Sequence, residues 1–137
     1  MSLRCFIQTQ APVPGSAAQS VHYPACEWVS DDGTGDHQHP LNRFVCSWLT
    51  SDMADVARCD EALSALAQLQ NHSLTEWFAD GDMFCVDFTV KGVQFNQSNV
   101  GPEDTDWWNL PEARFALADV NAALKAWRDF LAKAAKH

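Results

Sequence analysis

The sequence predicts an α+β fold: an antiparallel β-sheet built as a meander with tight hairpins, with two amphipathic helices packed on it. Three observations carry this. Asp80-Gly81 and Lys91-Gly92 punctuate an apolar–polar alternation running from Thr75 to Asn96, and a glycine second in a two-residue loop supplies the positive φ of a tight hairpin. Val56, Cys59, Leu63, Leu66 and Ala67 fall at three-and-four spacing within 53–70, the stripe of a helix with one buried side. Leu117, Val120, Leu124, Trp127 and Leu131 repeat that pattern in a second helix over 119–135.

The remaining elements are read in chain order. Residues 3–9 form a first strand, broken by Ala11-Pro12-Val13-Pro14-Gly15-Ser16, since proline donates nothing to a ladder and glycine invites a turn. Residues 20–29 form a second strand, which Pro24 assigns to an edge or a bulge. Residues 30–40 are the longest polar loop. Residues 41–49 read as a third strand, with Phe44, Cys46 and Trp48 on one face and Val45 and Leu49 on the other, as in a strand covered on both sides. Ser51 or Asp52 caps the first helix, and Asn71-His72-Ser73 ends it. In the meander Phe84, Val86, Phe88 and Val90 alternate with Cys85, Asp87 and Thr89, giving one apolar face. Residues 99–111 form a second acidic loop, Glu112–Phe115 add a short strand, and Asp119 caps the last helix. Lys133 and Lys136 lie in its last turns, where cations suit the helix dipole.

The 137 residues suit a single domain, 1–137. With 47% apolar residues and six tryptophans, the chain can bury a core without disulfide or metal staples. Nine basic side chains oppose eighteen acidic ones, for a net charge of −9. Residues 1–115 hold five basic and sixteen acidic side chains, and residues 116–137 hold four and two. So negative a surface repels phosphate backbones and anionic lipid, which disfavours direct nucleic-acid or membrane binding. It attracts a basic partner, and it also keeps a domain soluble. No stretch approaches the ~20 apolar residues of a membrane span, and the first residues lack the apolar run of a signal peptide. A cytoplasmic protein is expected. The five cysteines (Cys5, Cys26, Cys46, Cys59 and Cys85) are odd in number, widely spaced and without Cys-x-x-Cys. They read mostly as buried small hydrophobes in a reducing compartment.

Chemical motifs are sparse. His37 and His39 stand near Asp31, Asp32 and Asp36, and two histidines one residue apart can share an ion when the segment is extended. No further ligand stands at a recognised spacing, so the segment reads as a solvated loop, and no metal and no cofactor are assigned. There is no Gly-x-Ser-x-Gly, and Gly33-Thr34-Gly35 lacks the lysine and further glycines of a phosphate loop. No catalytic residue is therefore assigned. Two segments suit a binding surface. One is Trp107-Trp108, flanked by Glu103, Asp104 and Asp106; the other is Asp31, Asp32 and Asp36. Aromatic anchors within an acidic loop are what recognition of a basic protein uses. The alternative for the tryptophan pair is a lid folded back on the sheet.

Glu76-Trp77-Phe78, Met83–Val90, Gln94-Phe95-Asn96, Asp104-Thr105-Asp106-Trp107-Trp108 and Asp119–Leu131 give the C-terminal half a pattern that resembles the small immunity proteins of contact-dependent growth inhibition systems. It is also similar to a family of short bacterial cytoplasmic proteins. The resemblance implies a bacterial cytoplasmic inhibitor, not an enzyme. Its partner would be a cognate protein toxin domain, often a basic nuclease, whose active site or substrate groove it occludes. It assigns no residue-level site. Two other readings stay open: a small, metal-dependent enzyme using His37 and His39, and a housekeeping protein-interaction module.

The cysteine pattern yields a first prediction. Freshly prepared, unreduced protein titrates with five thiols, and a lower count that rises on reduction contradicts the reading.

Overall fold

The computed structural model describes residues 2–15, 17 and 19–134. Ser16 and Lys136, read above as part of a chain break and as a helix-end cation, lie outside the described residues. The fold class is α+β, with a two-stranded and a four-stranded antiparallel sheet.

Strands β1 (Ser2–Gln10) and β2 (Val21–Val29) pair along their whole length, Ser2 opposite Val29 and Gln10 opposite Val21. Pro24 faces Ile7. In a two-stranded ribbon both strands are edges, where a residue without an N–H is tolerated.

The expected third strand over 41–49 is helical instead. A π-helical stretch, Leu41–Cys46, runs directly into helix α1, Ser47–Asp52. Phe44, Val45, Cys46, Trp48 and Leu49 are all buried, so apolar residues cover most of the circumference and the two-faced pattern fits strand and helix alike. The polar residues settle it: Arg43, Ser47 and Ser51 recur every fourth residue, and Ser51 Oγ donates to Ser47 O at 2.6 Å, a back-bond only a helix offers.

Helix α2 runs Val56–Gln70, three residues later than the stripe suggested. Its cap is Asp55, whose carboxylate accepts from Arg58 N at 2.8 Å, and not Ser51 or Asp52. Asp52 is buried and serves a different purpose: it accepts from Met83 N at 3.0 Å and Phe84 N at 2.9 Å. The buried side of α2 is Cys59, Ala62, Ala65, Leu66 and Leu69, while Ala67 is exposed.

The meander follows as β3 (Glu76–Asp80), β4 (Phe84–Thr89) and β5 (Gly92–Gln97), with a short β6 (Arg114–Phe115) beside β5. Both turns are displaced from the expected glycine positions. Gly81 N donates to Phe84 O at 2.9 Å, so Asp82-Met83 makes the first turn. Gly81 is not at positive φ. It is required because a Cβ there would come within 2.5 Å of Asp52 Oδ2. In the second turn Val90-Lys91 makes the loop, and Gly92, at φ 148°, opens the next strand.

The inner sheet face carries Trp77, Ala79, Phe84, Val86, Phe88, Val93, Phe95 and Phe115. Trp48 packs edge-on to Phe95, with ring centroids 5.5 Å apart, the T-shaped geometry that aromatic quadrupoles favour. Helix α3 (Leu117–Ala134) lays Val120, Leu124, Trp127 and Leu131 into the same core. It begins two residues before Asp119, which lies inside the first turn instead of capping it. Trp127 is 0% exposed and its Nε1–H donates to Met53 O at 2.8 Å.

Trp127→Ala is expected to cost roughly 3–5 kcal/mol, as large-to-small core changes do. Trp127→Phe, which keeps most of the ring volume but leaves the Met53 carbonyl short of a donor, is expected to cost about 1–3 kcal/mol. Equilibrium denaturation checks both, and an unchanged midpoint for the alanine variant contradicts the packing.

Candidate functional site

The sheet has an outer face as well as an inner one, and register defines it. Residues opposite one another in an antiparallel pair share a face. One outer row is Phe78, Asp87, Gln94 and Arg114; a second is Asp80, Cys85 and Asn96; Glu76 and Thr89 lie beyond the first row. Gln94 and Asn96 are buried although they point away from the core. The acidic loop that follows β5 covers them. Asn109 N donates to Asn96 Oδ1 at 2.7 Å, Asn96 Nδ2 donates to Asn109 Oδ1 at 3.0 Å, and Gln94 Nε2 donates to Leu110 O at 3.0 Å. Two buried amides thus fix the end of the loop against the outer side of β5. Asn109 makes the close approach at φ 54°, a left-handed conformation that asparagine tolerates better than most residues.

Within the loop, Trp107 N and Trp108 N both donate to Asp104 O, at 3.2 and 3.0 Å, so Asp104 opens a single tight turn. Trp107 emerges 59% exposed, and Trp108 is half-buried. One tryptophan of the pair is thus presented to solvent and the other is half-buried. Glu103 and Asp106 are exposed and Asp104 is partly so.

The outer face adds residues that pattern reading did not select. Phe78 is 55% exposed on β3, a strand paired on one side only. Glu76 and Asp80 flank it. Asp87 hydrogen-bonds with Glu76 and repels it, and this holds the Glu76 carboxyl above the usual carboxylate range. Asp87 Oδ1 is shielded from solvent and has no hydrogen-bond donor among the described residues. Glu76, Asp80 and Asp87 thus lie on the outer side of the sheet, with Arg114 the basic residue of its outer rows, and Glu103, Asp104 and Asp106 belong to the loop whose end covers β5 on that side. The alternation of β3 and β4 was the signal for the three sheet acids, since each stands off the apolar register.

The other acidic cluster belongs to a different part of the molecule. Asp32 Oδ1 accepts from Ser30 Oγ at 2.5 Å and Thr34 N at 2.9 Å, and Asp36 Oδ1 accepts from Gln38 N at 2.9 Å. These donors bring the Asp32 carboxyl down to about 2. Asn42 clamps the loop to β2, accepting from Trp28 N at 2.6 Å and donating to Asp36 O at 2.8 Å. Asp32 and Asp36 therefore organise their own loop, and Asp31 lies exposed at its turn. The 31–36 loop is thus tied to β2 and the 99–111 loop to β5, so different strands hold the two clusters. His39 Nδ1 accepts from Leu41 N at 3.2 Å at the start of the helical segment. Among the described residues no group of three or more histidines, cysteines or acids is arranged to hold a metal ion, and no helix is long and apolar enough to cross a membrane.

Compared with known proteins, the chain matches no family model, no curated protein and no solved structure.

The Glu76–Asp87 pair gives a pH prediction with a definite sign. A carboxyl whose pKa is raised on folding costs nothing below its unfolded value, where it is protonated in both states, and costs the full penalty above its folded value. Glu76→Gln keeps a donor toward Asp87 and removes the repulsion. It is expected to raise the melting temperature at about pH 7.5 and to leave it unchanged near pH 3, below the ordinary Glu value. Asp32 has the opposite sign: its contribution is present above the ordinary Asp value and is lost as pH falls toward about 2. Thermal unfolding across this range checks both, and a Glu76→Gln variant that melts lower at neutral pH contradicts the pairing.

Proposed function

We propose that this chain is a protein-binding inhibitor that recognises a basic partner through the outer side of its four-stranded sheet. In its fuller form it is an immunity protein that neutralises a cognate toxin domain in the bacterial cytoplasm. A basic nuclease fits the charge, because an acidic surface with presented aromatics covers a phosphate-binding groove as a substrate mimic. The observation that carries this reading is Trp107: more than half exposed, on a loop fixed by two buried amides and framed by Glu103, Asp104 and Asp106. An anchor held in place before binding loses little entropy on binding, and tryptophan is the residue most enriched among energetic hot spots. Phe78, between Glu76 and Asp80, is the second anchor. The exposed Glu76 carboxyl, repelled by Asp87, is where an arginine or lysine of the partner fits.

The 31–36 loop contributes differently. Asp32 and Asp36 are engaged within the loop, so the loop adds chiefly to the long-range field. That field speeds encounter with a basic partner and is screened by salt. The reading of a metal-dependent enzyme gains no support from His39, whose Nδ1 is taken by the backbone.

The test first asks whether a secreted toxin is encoded beside this gene, and then measures association kinetics with the C-terminal domain of that toxin at two ionic strengths. Glu103→Gln, Asp104→Asn and Asp106→Asn together are expected to slow association by about tenfold, with thermal unfolding nearly unchanged, as for exposed charges. Asp31→Asn, Asp32→Asn and Asp36→Asn are expected to slow it less. Trp107→Ala is expected to speed dissociation by roughly thirtyfold, a loss of about 2 kcal/mol. Failure of the wild type to bind the toxin domain removes the immunity role. Binding that is indifferent to salt, to the loop acids and to Trp107 removes this surface.

A further inference from the structure

Three of the five cysteines meet at one place. Cys5 and Cys26 are directly opposite one another in the β1–β2 register. Facing residues of an antiparallel pair have Cα atoms about 4.5 or 5.5 Å apart, within the roughly 4.4–6.8 Å that a disulfide spans. On its other side the Cys26 thiol lies between Cys46 O, at 3.9 Å, and Thr50 Oγ1, at 4.0 Å, and is close enough to the Cys46 thiol to hydrogen-bond with it. Cys26 is thus the middle thiol of three, one on each strand of the ribbon and one on the helical segment beneath it. Cys26 and Cys46 also line a groove of about 380 Å³, open to solvent, between the ribbon and that segment. Cys5 is only half-buried, so a small polar oxidant reaches its thiol from solvent. Cys59 and Cys85 stand elsewhere: Cys59 is buried under Met53 O, and Cys85 is on the outer sheet face beside Asp80.

We propose that Cys5, Cys26 and Cys46 form an oxidation site for hydrogen peroxide, which closes a Cys5–Cys26 disulfide that Cys46 can exchange into a Cys26–Cys46 disulfide. The Cys5 thiolate attacks one peroxide oxygen, the O–O bond breaks, and hydroxide leaves and is protonated to water; Cys5 becomes a sulfenic acid. The Cys26 sulfur then attacks the Cys5 sulfur, the S–O bond breaks, and a second water leaves with the thiol proton. Two thiols and one peroxide give one disulfide and two waters. In the exchange step the Cys46 thiolate attacks Cys26, and Cys5 leaves as a thiolate that takes up the Cys46 proton.

Burial pushes the Cys5 thiol up to about 11, and the neighbouring Cys46 thiol together with burial pushes the Cys26 thiol up as well. The first step is therefore slow at neutral pH. The second is intramolecular between facing residues and fast, so the sulfenic acid is captured before it is oxidised further. The Cys5–Cys26 bond would lock the ribbon register, and the Cys26–Cys46 bond would staple the ribbon to the buried helical segment.

The experiment treats fully reduced full-length protein with one equivalent of hydrogen peroxide, alkylates it under native conditions and maps its peptides by mass spectrometry. Two of the five thiols are expected to disappear. The linked peptides join Cys5 to Cys26 or Cys26 to Cys46, and Cys59 and Cys85 are recovered alkylated. Retention of five thiols overturns the proposal. So do sulfinic or sulfonic acids in place of the disulfide, a link through Cys59 or Cys85, or links only between molecules. Cys26→Ser is expected to abolish the intramolecular disulfide, while Cys46→Ser keeps the Cys5–Cys26 link. Should Cys26→Ser fail to give folded protein by circular dichroism, the double variant Cys5→Ser, Cys46→Ser leaves Cys26 without either neighbour. An intramolecular disulfide in that variant contradicts the site equally.

Discussion

The chain between α1 and α2 ends one helix in the middle of the core, and its polar groups have to be satisfied there. Met53 is buried, and its carbonyl accepts from Trp127 Nε1 at 2.8 Å and from Cys59 Sγ at 3.4 Å. One residue earlier, the buried Asp52 carboxylate accepts from Met83 N and Phe84 N. Two residues later, Asp55 caps α2. An orphaned carbonyl or carboxylate in such a place costs about 1–3 kcal/mol or more. The need to satisfy these groups therefore fixes α3, α2 and the β3–β4 turn relative to α1. It also explains Gly81, which is there because Asp52 occupies the space of a side chain.

With the helices fixed on the inner face, the outer face of the sheet is left to other uses. Its central strand would expose Gln94 and Asn96, and the acidic loop satisfies them with backbone and amide groups. The same bonds immobilise the loop that presents Trp107. Burial of the two amides and the placement of Trp107 thus share one set of hydrogen bonds, and weakening them would loosen the tryptophan. On this side Glu76 hydrogen-bonds with Asp87 and is repelled by it, which holds its carboxyl above the ordinary range.

The parts of the fold that were legible in the sequence are those where period and burial agree. In β4, strict alternation of Phe84, Val86 and Phe88 maps onto one buried face, and in α3 the stripe through Trp127 does the same. The segment 41–49 was not legible because it is apolar nearly all round; its helical signature lay in three polar residues, Arg43, Ser47 and Ser51. The hairpin glycines pointed to the right turns and the wrong roles, because one answers to a distant carboxylate and not to local φ. The acidic tryptophan loop could be read from composition alone. The sheet acids needed the register, and the meeting of Cys5, Cys26 and Cys46 needed both the ribbon register and the placement of a helix whose sequence pattern fits a strand as well.

That helical segment links the two surfaces proposed here. Cys46 touches the ribbon near its start, and Asp52 holds the β3–β4 turn at its end. A continuous element is not by itself a route for coupling, however; coupling requires an element with two arrangements that both sites bias. The segment is buried along most of its length, with Trp48 and Leu49 fully enclosed, and close-packed interiors of this kind have few alternative packings. A disulfide to Cys26 would restrain a segment that the core already holds. The ribbon is the less constrained partner, since Ile7, Val21 and Tyr23 remain exposed on it and, apart from a bridge between Val29 and Gly35, its described strands pair with each other. A disulfide there would therefore act first on the order of the ribbon.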